Sequence, residues 1–494
     1  MDNSILKSFK LFGILRQEFL FKLNIWTVSA FLIGLFIFLP MVEVLWSLTS
    51  PSANWSHLKE TVLFSYFSNS LILLLGTSFF SLIFGISSAW IISNYRFKYR
   101  KILEWTLVLP LAIPTYISAY AYFDILELFN PLLIWVRTNI SFEIMQLLNN
   151  SLVYLVTILV MASVLYPYIY LLARASFIRQ GKQLRDAARS LGHNNKSIFW
   201  KIALPMARPA IVAGMSLVIM ETLNDYGAVK YFGISTFTSG IFRTWLGMGD
   251  LTGALRLSGM LMLLIFSLLV IEKKLRSRSK YNEPLNFKPS TDKIQLSKNK
   301  SIIAVLCCSI PLMLGFIIPV SRLISWAWIS RNSSSNLADV ELILNSLGLA
   351  TISSLIIVVI AIFLVFSARY YKSTLTAFSN RFAIVGYSIP GAVIAIGILL
   401  IAGHINNLTN YVLTGSLYLL IFAYIVRYLA VAWQPINAGI ESNCDSLNHA
   451  SKSLGASAFT SLTRVNLPLI KDTILTAGLL VFIDTIKELP LTLI

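Results

Sequence analysis

Asp186-Ala187-Ala188-Arg189-Ser190-Leu191-Gly192, running on to Ile202-Ala203-Leu204-Pro205, is a polar island between long apolar runs. A second island, His449-Ala450-Ser451-Lys452-Ser453-Leu454-Gly455, runs on to Val465-Asn466-Leu467-Pro468. Its glycine and its proline both lie 263 residues beyond those of the first. One unit therefore occurs twice, and what surrounds the islands defines it.

The surroundings are apolar. Of 494 residues 56% are hydrophobic and 13% charged, well below the roughly 25% charge of a soluble domain. Eleven apolar segments are readable, near 25–46, 69–94, 104–124, 152–173, 209–223, 253–271, 302–325, 344–368, 383–403, 412–432 and 472–486. Runs of about 20 residues match roughly 30 Å of hydrocarbon, where helices satisfy their own backbone groups and isolated strands do not. The fold class is all-α, a polytopic membrane protein. The first run is too long for a signal-peptide core and should remain as a span.

The net charge of +18 could suggest nucleic acid in a soluble chain, but its distribution follows the membrane. With the N-terminus cytoplasmic, 32 of the 40 Lys and Arg fall on inside segments, counting Arg427 there. Only Lys59, Arg137, Lys230, Arg243, Arg256, Arg322, Arg331 and Lys487 fall outside. That asymmetry fixes orientation by the positive-inside rule and leaves no need for nucleic acid as a partner. Cys307, Cys308 and Cys444 lack metal-ligand spacing, so no metal site is indicated.

Residues 272–300 carry Pro284, Pro289 and nine basic side chains, the composition of a solvated cytoplasmic linker. It divides a first half, 1–271, from a second, 301–494. Asn69-Ser70-Leu71 recurs as Asn345-Ser346-Leu347 and Pro114 as Pro390, both at an offset of 276. The islands recur at 263, so the first half should hold about 13 extra residues on its outer side, within Leu126 to Asn150. Two halves that each start inside are parallel repeats about an axis along the membrane normal, and such halves should leave a cavity between them. Six segments precede the linker and five follow it; by repeat symmetry a twelfth span is missing from the second half, as expected of a truncated product or a fragment.

Within the first island Leu184 to Leu191 reads as a helix with Asp186 in its first turn. Gly192 is placed to end it in the left-handed conformation. Asn194 or Asn195 can cap a second helix bearing Ile198, Phe199 and Ile202, and Pro205 and Pro209 should kink it. The product is a helix-turn-helix beneath the membrane.

This pattern resembles the EAA loop of ABC-importer permeases: Glu-Ala-Ala, three residues, Gly, nine residues, Ile, one residue, Leu-Pro. The loop at 184–205 departs in having Asp186 for Glu. The loop at 447–468 has His449 for Glu, Ser451 for the second Ala and Val465 for Ile, and keeps Ala450, Gly455, Leu467 and Pro468. Two fused halves, with Met220-Glu221-Thr222-Leu223-Asn224-Asp225-Tyr226-Gly227 and Ile483-Asp484-Thr485-Ile486-Lys487-Glu488-Leu489-Pro490, look like the ferric-iron permeases of that superfamily. The resemblance implies that Asp186, Ala187, Ala188, Gly192, Leu204 and Pro205, with their counterparts in the second loop, contact cytoplasmic ATPase subunits, two of them for two loops. It also implies a periplasmic binding protein and a bacterial inner membrane. No Gly-rich Walker loop occurs in the sequence, so this chain is expected to be no enzyme, to bind no cofactor, and to leave ATP to the partner subunit.

Acidic residues near a membrane are expensive and usually functional. Glu221 and Asp225 recur, at 263, as Asp484 and Glu488. Each pair is spaced to share a helix face, and four such carboxylates at an outer mouth would suit a hard cation. The alternative is that they cap helix ends or pair with Lys230 and Lys487. Fused permeases for thiamine or phosphonate share this layout, whereas an ion-coupled secondary transporter would need a site near mid-membrane. A membrane enzyme would need a nucleophile or ligand cluster that the sequence lacks.

Overall fold

The computed structural model describes residues 23–46, 52, 54–277, 293–330, 336–371, 373–409, 411–443, 447, 450–451 and 453–493. His449 and the middle of the basic linker, 278–292, lie outside the described residues. In chain order the principal helices are α1 (Ile25–Trp46), α2 (Leu63–Asn94), α3 (Arg100–Thr106), α4 (Thr115–Glu127), α5 (Asn130–Asn139), α6 (Phe142–Ser190), α7 (Asn195–Ile198), α8 (Leu204–Asn224), α9 (Gly227–Tyr231) and α10 (Leu251–Ser277). They continue with α11 (Lys298–Leu312), α12 (Ile318–Ser330), α13 (Asn336–Tyr371), α14 (Thr374–Val385), α15 (Gly391–Thr409), α16 (Leu417–Asn443), α17 (Ala458–Ser461), α18 (Leu467–Leu469) and α19 (Lys471–Lys487).

Among the described residues nine helices are long and apolar enough to cross a membrane, or ten if one bent pair is a single span. The expectation of eleven helical segments is corrected at two places. The third segment is broken: Arg100–Ala112 and Thr115–Glu127 meet at 91°. Ile113 (ψ 123°) and Pro114 (ψ 143°) leave the helical region there, because proline forces its predecessor into extended backbone. The ninth segment breaks in the same way at Ile389 (ψ 134°) and Pro390, the offset of 276 kept. The last segment, expected at 472–486, forms as the short helix Lys471–Lys487, of 17 residues.

The chain forms two compact units, one of residues 51–334 and one of residues 1–50 with 335–494. In the first, α6 packs along α2 and α8, and α8 packs against α10. Helices α11 and α12, which open the second sequence half, belong to this unit; α11 lies on α2. Gly315, in the π-turn Met313–Ile317 between α11 and α12, approaches α6 closely, since a Cβ there would stand 2.1 Å from the Ser163 carbonyl. Small residues give close helix approach in membranes. A two-residue parallel pairing, Tyr95–Arg96 with Ile294–Gln295, ties the end of the linker to the turn after α2.

In the other unit α16 packs against α13 and α19, and α1, the first helix of the chain, packs on α14 and α15. Gly397 sits against the Pro40 carbonyl of α1, 2.5 Å from where its Cβ would be. The contact units thus trade one span each relative to division of the sequence at 272–300, α1 on one side and Lys298–Ser330 (α11 with α12) on the other. Arg427, assigned to an inside loop from sequence, instead lies buried within α16 and donates through Nη1 to the Ile389 carbonyl. A helix break frees a backbone acceptor that must be satisfied, and a buried guanidinium does so here. The extra residues of the first half, expected within Leu126 to Asn150, include α5, a short helix packed on α6.

Candidate functional site

The first island is built on a single long helix. Instead of a separate helix beginning near Leu184, α6 runs unbroken for 49 residues from Phe142 to Ser190, about 73 Å at 1.5 Å per residue. That is more than twice the hydrocarbon thickness, so Asp186 lies in the last turns of α6 and not in a first turn. Gly192 ends the helix at φ +83°. Its N–H donates to the Arg189 carbonyl (2.9 Å), and that of His193 to the Ala188 carbonyl (3.0 Å), the paired bonds of a Schellman end. Asn194 then caps α7, its Oδ1 accepting from Ser197 N–H at 2.8 Å. Asp186, Ala187 and Gly192 are exposed, as is Leu191; Ala188, Ile198 and Ala203 are buried.

Phe199–Ala203 is a π-turn, closed by the Leu204 N–H donating to the Phe199 carbonyl. Pro205 has no N–H for the α-ladder, and the wider i→i+5 register absorbs the loss. The kink expected at Pro205 and Pro209 is therefore replaced by a wide turn within Asn195–Asn224, which runs as one span of 30 residues. Gln180 of α6 donates to the Ala203 carbonyl at 3.0 Å, and Trp90 of α2 packs edge-on to Phe177 and tilted on Phe199. Both legs of the turn are thereby held to the bundle.

The second island repeats this backbone at 263. Gly455 has φ +77°, Ala456 N–H donates to the Ser451 carbonyl (3.0 Å), and Ser457 caps α17 by accepting from Thr460 N–H (3.2 Å). Leu462–Asn466 is again a π-turn before Leu467-Pro468. Ala450 and Pro468 are exposed and Leu467 half-buried, as are their counterparts Ala187, Pro205 and Leu204. The buried positions differ: Ser451, Ser461 and Asn466 replace Ala188, Ile198 and Ala203. Ser451 Oγ and Ser461 Oγ are hydrogen-bonded at 2.8 Å, and Asn466 Nδ2 donates to the Ser461 carbonyl.

The acidic pairs stand at the other end of these helices. Glu221 lies in the last turn of α8, and Asp225 follows the helix end. Asp225 Oδ1 accepts from Ala228 N–H at 2.8 Å and so caps α9; the Thr115 hydroxyl, on the first residue of α4, also donates to it. Withdrawal from water pushes the Asp225 carboxyl up to about 6, against the pull of the Thr115 and Ala228 bonds and with a further push from Glu221.

Glu488 takes the corresponding place. Its Oε1 accepts from Leu491 N–H (3.3 Å), its Oε2 from the hydroxyl of Tyr428 on α16. A Cβ on Gly391, the first residue of α15, would come within 2.6 Å of Oε1. Asp484 is half-buried one turn earlier in α19. Of the sequence-derived acids, Asp225 and Glu488 are thus engaged in capping. Among the described residues, neither unit gathers three His, Cys, Asp or Glu side chains that could hold a metal. Thr115, Gly391 and Tyr428 were not singled out from sequence; only the recurrence of the neighbouring prolines pointed toward the first two.

The family model of the binding-protein-dependent transport system inner membrane component matches residues 81–278 and 357–494, more than half of the chain. The chain is 27% identical to the Fe(3+)-transport system permease protein FbpB 2 of Haemophilus influenzae, over 95% of this chain and 88% of that protein. It is 27% identical to the sulfate transport system permease protein CysT of Escherichia coli, over 43% of this chain and 74% of that protein. A probable molybdenum ABC transporter permease protein of Haloferax volcanii is 26% identical over 36% of this chain and 62% of its own length.

Proposed function

The chain belongs to the family of inner membrane components of binding-protein-dependent transport systems, and on that footing we propose that it carries ferric iron, or a small ferric complex, across a bacterial inner membrane. The observation that supports this cargo is coverage. The Fe(3+) permease relative aligns with 95% of the chain, whereas the sulfate permease relative of Escherichia coli aligns with 43% of it. A fused pair is thus shared with the iron relative along nearly the whole length.

In this reading the turns at 184–205 and 447–468 are gripped by two cytoplasmic ATPase subunits, which hydrolyse ATP. A periplasmic binding protein delivers the cargo, and the N-terminus is cytoplasmic. Exposed Leu191 and Leu454, at equivalent places beside Gly192 and Gly455, offer each ATPase subunit an apolar side chain. Glu221 and Asp484 serve the cargo path, as oxygen ligands that suit a hard cation.

The test is uptake of radiolabelled ferric iron against radiolabelled sulfate in cells whose own systems for both are deleted. Iron uptake that needs this chain and its ATPase supports the proposal; sulfate uptake without iron uptake overturns it. Glu221→Gln with Asp484→Asn should lower iron uptake about tenfold or more, the loss of roughly 1.4 kcal/mol or more in the pathway. ATPase activity should stay. Unchanged uptake removes the two acids from the path.

A further inference from the structure

Each unit uses one carboxylate to join elements, three through Asp225 and four through Glu488. In residues 51–334, Asp225 ends α8, accepts the first-residue hydroxyl of α4 (Thr115) and caps α9 through Ala228 N–H. In the other unit, Glu488 ends α19, accepts the Tyr428 hydroxyl, caps the short Leu491–Leu493 helix through Leu491 N–H and rests against the first residue of α15, Gly391. Both partners of the contact obey the repeat, Thr115 with Gly391 at 276 and Asp225 with Glu488 at 263. Their sizes run oppositely. Where the broken span offers a side chain the acid is short; where it offers only a hydrogen the acid is one methylene longer.

We propose that Asp225 and Glu488 are latches, positioning residues that tie the far end of each turn-bearing helix to the broken span of its own unit, and that acid and facing residue are matched as a pair. The inference rests on the reading of the chain as a driven permease, and is independent of cargo. A helix transmits displacement along its axis, and α8 continues from the π-turn before Leu204-Pro205 directly to Asp225. The latch passes that displacement to α4, which the 91° break has freed from the first part of its span. These bonds also explain why the two acids are poor candidates for ligating cargo: their oxygens already accept from hydroxyl and amide groups.

Exchange of the pairs tests this in the full chain with its ATPase. Gly391→Thr alone should cut uptake at least tenfold and Glu488→Asp alone about threefold, while the double variant, which recreates the Thr–Asp pair, should return to within about twofold of wild type. The mirror exchange, Thr115→Gly with Asp225→Glu, should behave likewise and guards against a Gly391→Thr chain that fails to insert. The melting temperature of the detergent-purified chain should fall in the single variants and recover in the doubles. Compensation in melting without any iron uptake would leave the latch standing and remove the cargo. Additive losses in both exchanges would overturn the latch.

Discussion

The turns at 184–205 and 447–468 have one backbone and two interiors. Both end a helix on a left-handed glycine, both restart on a polar cap, and both open a π-turn before Leu-Pro. The first packs Ala188, Ile198 and Ala203, the second hydrogen-bonds Ser451, Ser461 and Asn466. A backbone motif fixed by glycine, cap and proline tolerates an apolar filling or a hydrogen-bonded polar one. The legs differ too. The first continues as Asn195–Asn224, about 45 Å at 1.5 Å per residue. The second is interrupted at Ile470 (φ −106°, ψ 15°) before α19 begins. A continuous rod conveys a push that an interrupted one dissipates, so the first turn should be the stronger coupler.

The largest expected effect divides the glycines. Gly192→Val and Gly455→Val each force a side chain into left-handed backbone, at roughly 1–2 kcal/mol. Gly192→Val should depress uptake at least several-fold more than Gly455→Val, with ATP hydrolysis persisting in both. Equal uptake defects would sink the ranking of the two turns. Next come the interiors. Ile198→Ala should destabilise the detergent-purified chain by about 2–3 kcal/mol, against about 1 kcal/mol for Ser451→Ala, read as shifts in thermal unfolding. A larger loss at Ser451 would mean that the polar filling, and not the apolar one, holds its turn. The smallest effect belongs to the caps: Asn194→Ala and Ser457→Ala should each cost about 1 kcal/mol or less. A clear difference between them would show that the two second legs depend unequally on their starts.

Much of this was legible in the residues. The glycines, the Leu-Pro pairs and Asn194 state local backbone needs that no neighbour can change, and both turns formed where those residues stand. The third and ninth segments were less legible. Their apolar composition is that of an unbroken span, and the prolines at 114 and 390 marked the repeat without revealing a 91° bend. Arg427 was misplaced because a charge in an apolar run reads as a loop until a freed carbonyl is found to need it. The acidic pairs were found by spacing, but spacing does not distinguish a carboxylate facing cargo from one capping the next helix. Asp225 and Glu488 proved to do the latter.

By itself the sequence determined an all-helical membrane chain, its duplication and the backbone of both turns, because hydropathy, glycine and proline act over a few residues. Only the tertiary structure decided which helices share a unit, with α1 among the later helices and α11 and α12 among the earlier ones. It alone joined Thr115 to Asp225 and Gly391 to Glu488, residues about a hundred apart in the chain. Such pairings depend on how closely backbones approach, and that is set by where a glycine or a break happens to face its neighbour.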